Sequence, residues 1–588
     1  MTTSVRLLGP PSLERDGRSA PSPRGRKAWG LLAYLLLSER PPSRQRLTSL
    51  LFTDADDPQG ALRWNLAELR RVLGPDVTIT GDPVRLQVDV ATVDVLSDSV
   101  GSEATIGELL EGLDFAACPS FESWLLVERR RVSAHAEAAT RELSLAALAA
   151  GRLDDAVRLA ARAVELDPLQ PDHQTLLVRS LAAGGDLAAA RAQAARCTDL
   201  FRRELGVDPP AAVRQAADVA PVRPAQLTSP AVVRSYLDAG RTAVAAGAVD
   251  RGLGQLRQAV TVADDVGDGA LQAQTLVTLG GALVHATGAR GAGCAEILHR
   301  GLHVAEQVGA TELAATACRE LGFVAVQTGR HTQATAHLRR AEQLTGDDQE
   351  RAAVLGVRGM SLSDSAHYPE ALAVLSRSVA CAERAASWRQ AAWSQSLIGR
   401  IHVLRDDRSQ AADVLGACIA RVRGEHWTAF LPWPQVLLGE LHLVDGDLDE
   451  AGELLQHSYV LAVELGDSCW IATAARGLAR LAAARGDHVA ATDWIDRGLR
   501  PDPWYLWVRG YLLDAACTVP SAAARHRRYA DDLLRLAGRT GMRELVVRAR
   551  LHAARLGARE GLCAARWEAA DIDNPALLRL VPEMRKPR

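Results

Sequence analysis

Along most of this chain apolar positions recur with a helical period, and small residues punctuate them at a nearly constant interval. Small or polar turn residues stand at Gly247, Gly288, Gly329, Ala366, Asp406, Gly446 and Gly486, spaced by 41, 41, 37, 40, 40 and 40 residues. Seven residues before each of the first six stands a glycine (Gly240, Gly281, Gly322, Gly359, Gly399, Gly439), and Ala479 takes that place before the seventh. An alanine often follows the turn by five, as at Ala334, Ala371, Ala451 and Ala491. Two antiparallel helices approach closely only where the facing residue is small, and the turn between them needs a residue that tolerates positive φ. The pattern therefore predicts stacked helix pairs. Two further units, with turns at Gly151 and Gly185, lie upstream, 34 residues apart. Between them and the long array, residues 218–230 are proline-rich without helical periodicity and predict a linker.

The first 95 residues follow another pattern. VRLLG at 5–9 and the run after it predict short strands, and 27–38 is an apolar helix broken by Pro41 and Pro42. Ser43 suits the N-cap of a second helix, RQRLTSLLF. After a polar loop at 54–60, residues 61–74 form a third helix with Leu62, Leu66, Leu69 and Leu73 on one face. Alternation about Gly81-Asp82-Pro83 predicts a hairpin over 77–88. Three helices and a hairpin make a winged-helix order. The predicted fold is mostly α: a small α/β winged-helix domain over 1–95, a helical segment over 96–217, the linker, an α-solenoid of repeats over 231–505, and a helical cap and tail over 506–588. The repeat resembles the tetratricopeptide repeat, stretched beyond its usual period of about 34 residues.

Composition narrows the chemistry. Of the 68 basic residues only Lys27 and Lys586 are lysines. Lys27 follows Arg26 and Lys586 lies near the C-terminus, so neither has the glycine that precedes a P-loop lysine. Nine scattered cysteines without a CxxC pair speak against zinc or disulfide scaffolds and suit a cytoplasmic protein. No apolar run predicts a signal peptide or a membrane span.

With a net charge of −3, any contact with DNA must come from a local patch. Residues 24–71 hold nine basic and five acidic residues, a local +4. On the third helix, the face opposite the leucines carries Trp64, Ala67 and Arg71, flanked by Arg63 and Arg70. A helix of this kind can enter a major groove, where arginine pairs bidentately with guanine. Arg26, Lys27, Arg44 and Arg46 are candidates for phosphate contacts, the last two opening a helix whose N-terminus itself favours anions. Arg85 on the hairpin is the candidate wing contact. Glu68 can accept from a cytosine amino group or repel phosphate.

The order of strand, PRGRKAWGLLAYLLL, SRQRLTSLLF, ALRWNLAELRRVLG and VTITGDPVRLQV resembles the OmpR-type winged helix of the Streptomyces antibiotic regulatory protein (SARP) family. GELLEGLDF at 107–115, FESWLLVERRRV at 121–132, the units at 149–197 and FRRELGVDP at 201–209 are similar to that family's bacterial transcriptional activation domain. The resemblance covers roughly 1–217. It implies a transcriptional regulator, usually an activator, that binds direct repeats in double-stranded DNA near a promoter and contacts RNA polymerase, with two copies on one operator. Larger members carry an ATPase module after the activation domain. This chain passes straight from linker to repeats, so nucleotide-gated switching is not implied.

Eight of the twelve tryptophans lie within 388–507. Trp393 and Trp433 stand 13 residues before their turns, at equivalent sites of adjacent repeats, where they either line a groove for a protein or small-molecule effector or pack between helices. Trp504 and Trp507, beside prolines, are read as sealing the last repeat. His299 and His303 share a helix face with Glu306, but HExxH is absent and the pair is read as surface or packing. GMSLS at 359–363 is not GxSxG. No cofactor, metal or catalytic set is expected. Two readings follow: a DNA-binding regulator whose repeats sense a partner, or a repeat scaffold whose winged helix has lost DNA.

Overall fold

The computed structural model describes residues 3–16, 18–74, 77–87, 93–95, 107–217, 228–520, 522–558 and 561–582. Three strands, β1 (Thr3–Arg6), β2 (Ser12–Arg15) and β3 (Arg18–Ser19), form an antiparallel meander in which Val5 pairs with Leu13. Three helices follow: α1 (Arg26–Leu37), α2 (Arg44–Leu51) and α3 (Pro58–Leu73). The hairpin is β4 (Thr78–Thr80) and β5 (Arg85–Gln87), in the register Ile79 to Leu86. Every strand and helix expected here is present. The expected α2 N-cap holds, with Ser43 Oγ accepting from the Arg46 amide at 3.1 Å. The third helix starts three residues early, because Asp57 caps it and Pro58 suits its first turn.

Leu62, Leu66, Leu69 and Leu73 are all buried, as their spacing requires. Their core does not stop at residue 95. Leu109, Leu110, Phe115, Phe121 and Trp124 share it, the last two on helix α4 (Pro119–Ala149). A Cβ on Gly30 of α1 would lie 2.8 Å from the Phe115 ring, so the absence of a side chain is what admits that ring. Residues 88–92 and 96–106 lie outside the described residues, as do 218–227 of the expected linker.

Beyond α4 the described residues form helix pairs joined by tight turns. All nine expected turn residues, from Gly151 to Gly486, have positive φ, including the non-glycines Ala366 (61°) and Asp406 (63°). The crossing glycines also behave as expected. A Cβ on Gly240, Gly322, Gly359, Gly399 or Gly439 would lie 2.4–3.1 Å from a leucine sixteen residues later: Leu256, Leu338, Leu375, Leu415 and Leu455. One position needs correction. Gly281 faces open space, and it is Gly280 that meets Leu298, at 2.3 Å. That pair has the irregular turn Ala289-Arg290-Gly291, which moves the crossing by one residue. Helix pairing also runs past 505, through Leu506–Ala516 with Ala523–Thr540 and Arg543–Arg555 with Leu562–Asp571.

The chain divides into two compact units. One contains 1–136, 362–370 and 396–588; the other contains 137–361 and 371–395. In the first, the winged helix meets the C-terminal helices: α2 packs on Leu562–Asp571. No helix among the described residues is long and apolar enough to cross a membrane. All nine cysteines are free, seven of them buried.

Candidate nucleic-acid interface

Helix α3 turns Arg63, Trp64, Ala67, Arg70 and Arg71 to solvent, opposite its leucine face. Trp64, 53 % exposed, is the largest apolar group on this surface. Glu68 differs from its sequence reading. It is buried, its Oε1 accepts from the Arg24 amide at 3.0 Å, and its two oxygens accept from Arg71 Nη2 and Nε at 2.7 and 2.9 Å. The Arg71 fork holds the Glu68 carboxyl down to about 2, so it stays ionised. Arg71 thus carries a counter-charge on its own helix, and any base it reads must replace a carboxylate. Arg63 is more weakly engaged, 3.6 Å from Asp57.

Arg70 does not stand ready for DNA. Its Nε and Nη2 both donate to the Ile79 carbonyl, at 3.0 and 2.7 Å, and fasten the hairpin to α3. The N-terminus of α2 is also occupied. The Arg44 amide donates to Asp82 Oδ1 at 2.9 Å and its Nε to the Gly81 carbonyl at 3.3 Å. The anion that a helix N-terminus favours is here the wing's own Asp82. Arg46 departs furthest from its expected role. It is 8 % exposed, its Nη1 meets Asp571 Oδ2 at 2.6 Å, and its guanidinium lies 5.5 Å from the Tyr34 ring and 5.8 Å from that of Trp567. It faces inward because the apolar residues of α2 lie on that side, and a C-terminal helix supplies the counter-charge. Lys27 pairs with Asp54 and lies over Phe52. Arg26 and Arg85 are exposed, as expected of surface cations.

The tryptophans divide. Trp393 is half-buried, edge-on to Phe323 with centroids 6.1 Å apart. Trp433 does not line an open groove. It is 3 % exposed, it donates from Nε1 to Ser396 Oγ at 3.1 Å, and its ring meets Trp470 and Trp507 at 5.3 and 5.8 Å. Trp507 is buried, with the Arg400 guanidinium 4.4 Å from its ring. Arg400 is fully buried and donates to Asp364 Oδ1, Ser363 Oγ and Tyr505 Oη at 2.7, 2.7 and 2.8 Å. Arg476 takes Glu440 bidentately at 2.8 and 2.9 Å. The interior of these repeats is therefore filled by a polar and aromatic network. Asp364, Arg400 and Tyr505 are far apart in sequence and carry no local motif, and only the tryptophan clustering pointed to this region.

Residues 106–218 match the bacterial transcriptional activator domain family. The chain therefore carries a bacterial transcriptional activator domain, followed by tetratricopeptide-like helix pairs, and the resemblance to SARP-type regulators with C-terminal repeats stands. No curated protein matches the chain. Among solved structures it is similar to a Rap protein complexed with competence and sporulation factor, with 13 % identity, 59 % of this chain and 99 % of that one covered, and a TM-score of 0.44. It is also similar to Mycobacterium tuberculosis EmbR in complex with a low-affinity phosphopeptide, with 18 % identity, 37 % and 64 % covered, and a TM-score of 0.29. A third is a signal transduction ATPase with a tetratricopeptide repeat sensor from Pyrococcus horikoshii, with 14 % identity, 63 % and 56 % covered, and a TM-score of 0.36.

Proposed function

We propose that this chain is a cytoplasmic, non-enzymatic transcriptional regulator that reads double-stranded DNA with α3, contacts RNA polymerase through its activation domain, and senses a protein or small-molecule effector with its repeats. The observation that carries the reading is an activator-domain match directly behind a three-helix-and-hairpin domain whose α3 presents Arg63, Trp64, Ala67 and Arg71 to solvent. Arginine on such a face recognises guanine, and the exposed Arg26 and Arg85 supply phosphate attraction. The domain order supports 1–95 as DNA reader, 96–217 as activator and 231–505 as sensor. Direct repeats at the operator call for two copies. A scaffold reading draws on one specific observation: Lys27, Arg46, Arg63 and Arg71 all have carboxylate partners within the chain, which reduces the patch.

Selection of bound fragments from random DNA by the full chain, at two salt concentrations, tests the proposal. A repeated motif enriched at both is the expected result. No enrichment from the full chain moves the weight to the scaffold.

A further inference from the structure

Three helices far apart in sequence converge on one point in the second unit. Glu142 comes from α4, His299 from Ala292–Gln307 and His337 from His331–Leu344. Glu142 Oε1 lies 2.9 Å from His299 Nε2 and 2.5 Å from His337 Nε2, and all three donor atoms lie within 4.8 Å of one another. The imidazoles are 5.9 Å apart, centroid to centroid, at 61°. His299 is 5 % exposed, and its Nε2 makes no well-aligned hydrogen bond although the carboxylate is close. A buried ring nitrogen aimed at a shared point without satisfied geometry is costly unless something else occupies that point.

We propose that Glu142, His299 and His337 form a three-ligand site for a transition-metal ion of the zinc type, joining the activator-domain helix to two repeat helices. Two neutral imidazoles and one carboxylate are the donor set of borderline ions such as Zn²⁺, and three protein ligands leave a fourth position to water. Donor atoms bound at about 2.0–2.1 Å in a tetrahedron stand roughly 3.3 Å apart. Metal binding at that spacing requires the carboxylate to open from the imidazole nitrogens, which now stand 2.9 and 2.5 Å from it. Cys318, buried, interacts with the His337 side chain, the place a partner behind a ligating histidine commonly takes. Arg141 and Arg330 place positive charge nearby, balanced by Glu137 and Asp172. With the charges balanced, the donor atoms decide: two imidazole nitrogens and one carboxylate suit a nitrogen-seeking ion and not Mg²⁺ or Ca²⁺, which take oxygen ligands. The site stands apart from DNA reading and does not depend on it.

The test is titration of the chelator-stripped full chain with Co²⁺, whose visible bands report coordination, followed by displacement with Zn²⁺. One ion per chain is expected, with the bands lost as Zn²⁺ enters and no binding of Mg²⁺ or Ca²⁺. His299→Ala and His337→Ala should each weaken binding by more than the about 10–100-fold typical of an outer-shell loss, and Cys318→Ser by about that range. His303→Ala, on the same helix, should leave it unchanged. Circular dichroism checks each variant. If the alanine variants do not fold, Glu142→Gln and the wild-type spectrum decide. Absence of Co²⁺ bands in the wild type, or bands that persist in every folded ligand variant, overturns the proposal.

Discussion

Arg44 and Arg46 stand two residues apart on one helix, and their surroundings give them different work. Arg44 remains half-exposed beside the wing, while Arg46 is sealed against Asp571. Arg44→Ala should therefore weaken binding to all sequences alike and lower the salt slope by about 1, read by titrations at several salt concentrations. Arg71→Ala should cost about 1–3 kcal/mol and relax a single base position if that arginine reads guanine. Glu68→Gln tests the pairing on the same helix. Gln keeps an oxygen for the Arg24 amide but removes the charge that holds Arg71, so affinity for all sequences should rise and the salt slope should steepen. Unchanged binding in all three variants would sink the docking of α3.

His173 sets a pH dependence of another kind. It is 1 % exposed, and burial together with Arg141 lowers it from 6.5 to about 4, although Glu137 lies 3.3 Å from its Nε2. The unfolded chain takes up a proton near 6.5 that the folded one refuses. Stability is thus full above about pH 6.5 and is lost as pH falls toward 4, by at most about 3 kcal/mol. Denaturant midpoints at pH 7 and pH 5 should differ less in His173→Gln than in the parent.

Among the elements, the helix pairs are held by one recurring contact, a glycine under a leucine sixteen residues on. Gly399 and Gly416 sit on the two helices of one pair, and their environments are opposite. A Cβ on Gly399 would lie 2.5 Å from Leu415 Cδ2, whereas one on Gly416 meets nothing within 4 Å. Gly399→Ala should destabilise by about 1–3 kcal/mol through overpacking. Gly416→Ala should stabilise by about 0.4–1 kcal/mol, since only chain entropy changes. Urea midpoints of the two variants, moving in opposite directions, check this. The crossing was legible because it repeats: one glycine means little, but six at a fixed offset from a turn mark a facing helix. The exception at Gly280 was not legible, because only the facing Leu298 reveals the shift.

In the whole first unit, the winged helix is fastened to segments more than three hundred residues later. Arg46 with Asp571, and Glu39 with His367 and Arg543, make the contact, and Arg550 meets Glu568 behind it. Glu39, Arg46, Arg543, Glu568 and Asp571 line a cleft together with Tyr34, Trp124 and Arg131. Asp571→Ala leaves a buried guanidinium without its carboxylate and should cost about 3–5 kcal/mol if that site stays closed to water. The loss should appear as faster hydrogen exchange in both α2 and Leu562–Asp571, two segments with no sequence proximity. Protection lost in only one of them would show that the two do not hold each other.

By itself the sequence determined whatever repeats or is local. Helical period, turn residues, the Ser43 cap and the leucine face of α3 all follow from backbone sterics and from burial along one element. The activator-domain resemblance was legible for the same reason, as contiguous runs of residues. Only the tertiary structure decided which charges are available. Arg46 and Arg70 read as surface groups because their partners, Asp571 and the Ile79 carbonyl, are not their helix neighbours, and Glu68 is buried where the distant Arg24 amide joins its helix neighbour Arg71. Trp433 likewise became core through Trp470 and Trp507. A charge or ring takes its role from what desolvates and pairs with it, and that is settled by chain segments meeting in space.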